Sequence, residues 1–136
     1  MSTIEINDEI RRNFHLFWDN FPSPVMLVHK DRTIIETNNA GQTLGCPVGT
    51  RCVDIGEKKH HAGCRANAAL RDQAGVREVG YIDHLGIVMD SYWIPLNGAE
   101  DLFIHFGIDI TEFAAERLIP KKCEESGNNC GSCPGA

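Results

Sequence analysis

The chain has 136 residues, 42% of them hydrophobic, and a formal net charge of −6. That length gives one domain with enough apolar material to bury a core without staples. The acidic balance excludes the basic face that nucleic-acid binding needs, and no apolar run reaches the roughly 20 residues of a membrane span.

The first residues, MSTIEINDEI, are acidic and lack the basic-then-apolar order of a secretion signal, so a cytoplasmic protein is expected. Asn7 to Asn20 reads as an amphipathic helix. Asn7 is the N-cap, and Asp8 and Glu9 lie in the first turn, where the helix dipole favours negative charge. Ile10, Phe14, Phe17, Trp18 and Phe21 recur at spacings of three and four and form one apolar stripe. Pro22 and Pro24 stop it.

Val25 to His29 and Thr33 to Thr37 are short apolar and β-branched runs around Lys30-Asp31-Arg32, which reads as a hairpin. Glycine and proline are dense from Gln42 onward, so short helical turns fit before residue 60. His60 to Ala74 is expected to be one helix, with Gly75 as its C-cap. Three strands follow: Glu78 to Leu85, Ile87 to Leu96 and Leu102 to Ile108, with a tight turn at Asn97-Gly98. Asp109-Ile-Thr-Glu112 has the spacing of a capping box and predicts a final helix to about Leu118, ended by Pro120. Residues 1–20 are thus an N-terminal helix available for dimer contact, 21–119 an α+β domain, and 120–136 a Cys-rich flexible tail.

In this order the residues resemble the PAS domain family of sensory modules. "SPVMLVHKDRTIIETNNAG" (23–41) looks like its first hairpin, and "SYWIPLNG" (91–98) followed by "DLFIHFGIDITE" (101–112) looks like its last two strands and exit. The resemblance implies a five-stranded antiparallel sheet of order 2-1-5-4-3 with helices on one face, a ligand pocket between them, and an N-terminal helix that often mediates dimers. It implies a sensor that binds a small molecule or registers redox state and signals through a homodimer or a partner in trans. Asn38, Tyr81, Trp93 and His105 are the pocket candidates. Asn38 equally fits a role in satisfying turn backbone. Alternation along the last strand leaves open whether His105 faces the helices or the outside.

The six cysteines are the other functional signal, because a reducing cytosol disfavours structural disulfides. Three lie in "CPVGTRCVDIGEKKHHAGC" (46–64). On a helix starting at residue 60, His60 and Cys64 or His61 and Cys64 would share a face, and Cys52 could loop back to join them. Some bacterial PAS domains look similar here. Thiolate and imidazole ligands suit zinc or an iron–sulfur cluster, with haem a weaker option at His105. Against this stands plain burial of small thiols in an Ala-rich helix. The other three are Cys123, Cys130 and Cys133, and Cys130-Gly-Ser-Cys133 is a C-x-x-C whose sulfurs can meet one metal ion or each other. The second reading is therefore a small metal or iron–sulfur redox protein on the same scaffold. No catalytic constellation emerges: there is no Gly-rich phosphate loop and no nucleophile elbow, so an enzyme is not expected.

Overall fold

The computed structural model describes residues 5–120. Helix α1 runs Asp8–Trp18, and the Asn7 side chain caps it by accepting from Glu9 N at 2.8 Å. Strands β1 (Val25–His29) and β2 (Ile34–Thr37) form the expected hairpin. A short helix α2 (Asn39–Thr43), two 3₁₀ turns (Cys52–Asp54 and Lys58–His61) and helix α3 (Ala66–Asp72) follow. Strands β3 (Val76–Ile82), β4 (Ile87–Leu96) and β5 (Ala99–Asp109) complete one antiparallel sheet of order β2-β1-β5-β4-β3. The α+β class, the strand order and the N-terminal helix are those expected.

Each face of the sheet carries its own core, because side chains alternate along β1, β4 and β5. On one face Phe14 of α1 packs with Val25, Leu27, Ile35, Leu102, Ile104 and Phe106, joined by Ile10, Trp18 and Phe21. On the other, Ala66 and Ala69 of α3 pack on Val28, Trp93 and Phe103, joined by Met26, Cys52, Leu70 and Val76. The α1 stripe is narrower than its periodicity predicts. Phe17 is 75% exposed and Leu16 lies beside it on the solvent side, so only Ile10, Phe14, Trp18 and Phe21 reach the sheet.

Two helical expectations are corrected. The helix predicted from His60 begins only at Ala66: His60 and His61 belong to a 3₁₀ turn that Glu57 opens and Ala62 closes, and Arg65 then leads into the helix. Its C-cap is Gln73, which takes the left-handed conformation at φ 47° expected of Gly75. The final helix is absent too. Asp109 accepts from Thr111 N at 3.0 Å and Thr111 Oγ1 at 2.5 Å, closing a local turn. Only 3₁₀ turns at Thr111–Phe113 and Glu116–Leu118 follow, separated by the extended Ala114 and Ala115. Among the described residues no helix is long and apolar enough to cross a membrane.

Candidate functional site

Sheet register sorts the pocket candidates. Trp93 of β4 lies directly opposite His105 of β5 and Val76 of β3, so all three point to the α3 face. Tyr81 pairs with Val88 and falls on the alternate set of β3 positions, on the face opposite Trp93. Tyr81 and Trp93 therefore do not line one pocket. His105, which alternation alone could place on either face, lies on the inner side with Phe103.

The Trp93 and His105 rings stack at 4.9 Å between centroids and 14° between planes. His105 Nδ1 lies 2.8 Å from the Tyr92 carbonyl oxygen. A carbonyl only accepts, so Nδ1 carries the hydrogen, and in the neutral ring Nε2 keeps its lone pair. Burial pushes the His105 pKa below the ordinary imidazole value, against the pull of the Tyr92 carbonyl. The ring is thus held neutral, as an acceptor. Beside it, Trp93 is 5% exposed and its Nε1–H has no hydrogen-bond partner. An indole N–H buried this deeply ordinarily has a partner. The two rings together present a free donor and a free acceptor beneath α3.

Asn38 is committed elsewhere. Its Oδ1 accepts from Val25 N at 2.9 Å and Gly41 N at 3.0 Å. Its Nδ2 donates to the carbonyls of Trp18, Phe21 and Ser23 at 3.0, 3.2 and 2.9 Å. Both lone pairs and both hydrogens are used, which removes Asn38 from the ligand set and makes it the knot that ties the end of α1 to β1 and α2.

The middle cysteine segment is arranged differently from its spacing. With no helix at residue 60, the shared face of His60, His61 and Cys64 does not form. His60 instead stacks on His84 of the β3–β4 turn at 3.7 Å and 10°, and its Nδ1 receives Glu57 N at 3.4 Å. His61 Nε2 lies 2.6 Å from the Ile55 carbonyl, which ties the two 3₁₀ turns together. Among the described residues, no three His, Cys, Asp or Glu side chains converge on one point. Cys52 and Cys64 nevertheless share a neighbourhood. Cys52 is half-buried against the α3 core, and burial and then the nearby Cys64 push its thiol up, while the Arg32 guanidinium pulls it down. Cys64 is exposed and Cys46 half-buried, both as free thiols. Cys123, Cys130 and Cys133 lie outside the described residues.

Arg32 is a residue that spacing did not single out. It adopts φ 78°, unusual for a side-chain-bearing residue. Its guanidinium sits 5.6 Å from the Phe103 ring centroid, donates to the Lys30 carbonyl at 2.6 Å and contacts Asn67 of α3. The β1–β2 turn thereby reaches across to α3, next to Cys52. Only the hairpin's polar turn hinted at it.

Comparison with solved structures places this architecture. The PAS domain from Bordetella pertussis BvgS is 20% identical, with a TM-score of 0.61, over 79% of this chain and 90% of that domain. A domain of an HTR-like protein from Haloarcula marismortui is 20% identical, with a TM-score of 0.53, over 66% of this chain and 99% of that domain. A sensory box sensor histidine kinase structure from Vibrio cholerae is 11% identical, with a TM-score of 0.54, over 79% of this chain and 98% of its own. No family model and no curated protein matches the chain. The fold is the PAS fold.

Proposed function

We propose that this chain is a sensory module of signal transduction. It takes up a small ligand or registers redox state on the α3 face of its sheet, and it passes the change to a second copy or to a signalling partner in trans. The observation that carries the reading is the Trp93–His105 pair. A buried donor without a partner costs on the order of 1–3 kcal/mol, and it stands beside an imidazole held neutral with a free Nε2. Such a pair is matched by a small uncharged molecule that offers an acceptor to the indole and a donor to the imidazole. The PAS fold shared with a sensor histidine kinase structure supports the sensory class, but a fold alone names no ligand.

The test is native mass spectrometry of the full chain as isolated, together with its oligomeric state by light scattering. A retained small molecule lost from His105→Ala, with unchanged far-UV circular dichroism, supports the reading. No retained molecule, and no change of oligomeric or partner state with ligand or oxidant, refutes it.

The second reading is a metal or iron–sulfur redox protein. It is favoured by the closeness of Cys52 and Cys64, to which Cys123, Cys130 and Cys133 of the tail would add thiolates. Zinc or an iron–sulfur cluster suits such ligands. Brown colour with acid-labile sulfide identifies the cluster, one zinc per chain a structural site, and a Soret band haem on His105.

A further inference from the structure

Cys52 and Cys64 have eleven residues between them, and several contacts fold that segment back on itself. Ile55 N donates to the Cys52 carbonyl at 3.2 Å, His61 Nε2 meets the Ile55 carbonyl at 2.6 Å, and Cys64 N donates to the His61 carbonyl at 3.1 Å. The two 3₁₀ turns of the segment pack on each other. Cys52 packs with the core cluster that contains Ala66, and Ala66 is two residues past Cys64. Both thiols are free.

Resting on the redox arm of the sensory reading, we infer that Cys52 and Cys64 form a reversible disulfide with a small-molecule disulfide as oxidant, Cys64 reacting first and Cys52 resolving. A disulfide needs Cα atoms about 4.4–6.8 Å apart. Only two short 3₁₀ turns lie between the two residues, with no helix or strand to hold them apart.

Exposure sets the order of reaction. Cys64 is exposed and reaches solvent oxidant, whereas Cys52 is half-buried with its thiol pushed up. The Cys64 thiolate attacks one sulfur of the oxidant RSSR, forms a mixed disulfide and expels RS⁻, which takes a proton. Cys52 then loses its proton to solvent and attacks Cys64 Sγ, expelling the second RS⁻. Two protein thiols are oxidised by two electrons, and RSSR is reduced to two RSH. Capping Cys64 also removes the neighbour that opposes ionisation of Cys52 and leaves the Arg32 cation, which favours it. The product ties the segment that leads into α3 to the 3₁₀ turn of Cys52, which packs on the cluster holding Ala66 and Trp93.

The experiment treats the reduced full chain anaerobically with oxidised glutathione, quenches by acid and alkylation, and maps peptides by mass spectrometry. The dominant link should join Cys52 to Cys64, and hydrogen exchange over residues 62–72 should slow. Cys52→Ala should stall as a glutathione adduct on Cys64. Cys64→Ala should leave Cys52 unmodified at least about tenfold longer than in the parent chain, with far-UV circular dichroism confirming that both variants fold. A dominant link to Cys46 or to the tail cysteines, or a Cys52 that reacts at the parent rate in Cys64→Ala, overturns the inference. If the Cys52–Cys64 link forms but oligomeric and partner state do not change, the pair stands and redox sensing falls. If a ligand is retained but no link forms, the inference falls alone.

Discussion

Replacing Asn38 with alanine should be among the most damaging single changes in the domain. The side chain is fully buried and makes five hydrogen bonds to backbone. Its loss strands the Val25 and Gly41 N–H groups and the Phe21 and Ser23 carbonyls. The Trp18 carbonyl is spared, because it also accepts from Phe21 N at 3.0 Å. Each orphaned buried group costs about 1–3 kcal/mol, and part of this is the α2 N-cap, worth about 1 kcal/mol. Water entering the vacated space recovers some of it, leaving a net loss of about 3–5 kcal/mol. For a domain of this size that lowers Tm by about 10–20 °C. Asn38→Asp is the sharper probe. It keeps both acceptor contacts but turns its second oxygen toward three carbonyls. A buried carboxyl there should have a raised pKa. Its neutral form is fully present below the ordinary carboxyl pKa, and stability is then lost as pH rises toward the folded value. Urea unfolding followed by fluorescence, at pH 4.5 and pH 8, measures both variants. A loss under about 1 kcal/mol for Asn38→Ala, or an Asn38→Asp variant no worse at pH 8 than at pH 4.5, would refute the reasoning.

Five further variants can be checked the same way. Burial opposes charge on His15, but Asp19 at 2.6 Å and Glu36 at 3.2 Å outweigh it and raise its pKa. The stability it adds is therefore complete below pH 6.5 and fades as pH rises through the folded value, so His15→Gln should flatten the stability profile between pH 6 and 9. Gly41→Ala should cost about 2–3 kcal/mol, because the new methyl coincides with Thr37 Oγ1 and lies 3.0 Å from Thr37 Cβ. Gly107→Ala meets the flexible Met89 side chain, Sδ at 2.7 Å and Cγ at 3.0 Å, with Ser91 Oγ at an ordinary 3.5 Å; Met89 can rotate away, and the change should cost under about 1 kcal/mol by urea unfolding. Phe17→Ser should change stability by no more than about 0.5 kcal/mol, whereas Phe14→Ala, 4% exposed, should cost about 3–5 kcal/mol.

The strands were legible because two local signals agreed. β-Branched runs with sharp turns give β1 and β4 the bounds their sequence predicts, and Asn97-Gly98 reverses the chain so tightly that β5 starts at Ala99. The helical segment was not legible, because its determinants are contacts between segments. The Glu57 cap opens a 3₁₀ turn that closes at Ala62, and the His60–His84 stack ties it to the β3–β4 turn. A period of four cannot register either. Asp109 failed for a related reason: the same side chain that opens a helix can close a turn on Thr111. At the site, alternation fixed that Trp93 and Tyr92 part company, but only the α1 core claims the even residues of β5 and turns His105 inward.

That division of β5 bears on how the proposed sensory function would work. Leu102, Ile104 and Phe106 wall the α1 core, while Phe103 and His105 line the α3 side one peptide unit away. Close-packed interiors have no slack, so a shift at Phe103 or His105 is felt at Ile104. The two cores are unequal. The α1 side has seven buried residues, with Phe14 and Phe106 among them; the α3 side has five, two of them alanines. The side with less buried apolar contact opens at lower free energy. Its cover is also the short helix that follows Cys64 and meets Arg32. On the proposed sensory function, reception would belong on the α3 side, where movement would cost least. The α1 core, with more buried side chains and with Phe17 and Leu16 exposed beyond it, would then carry the displacement outward as a unit.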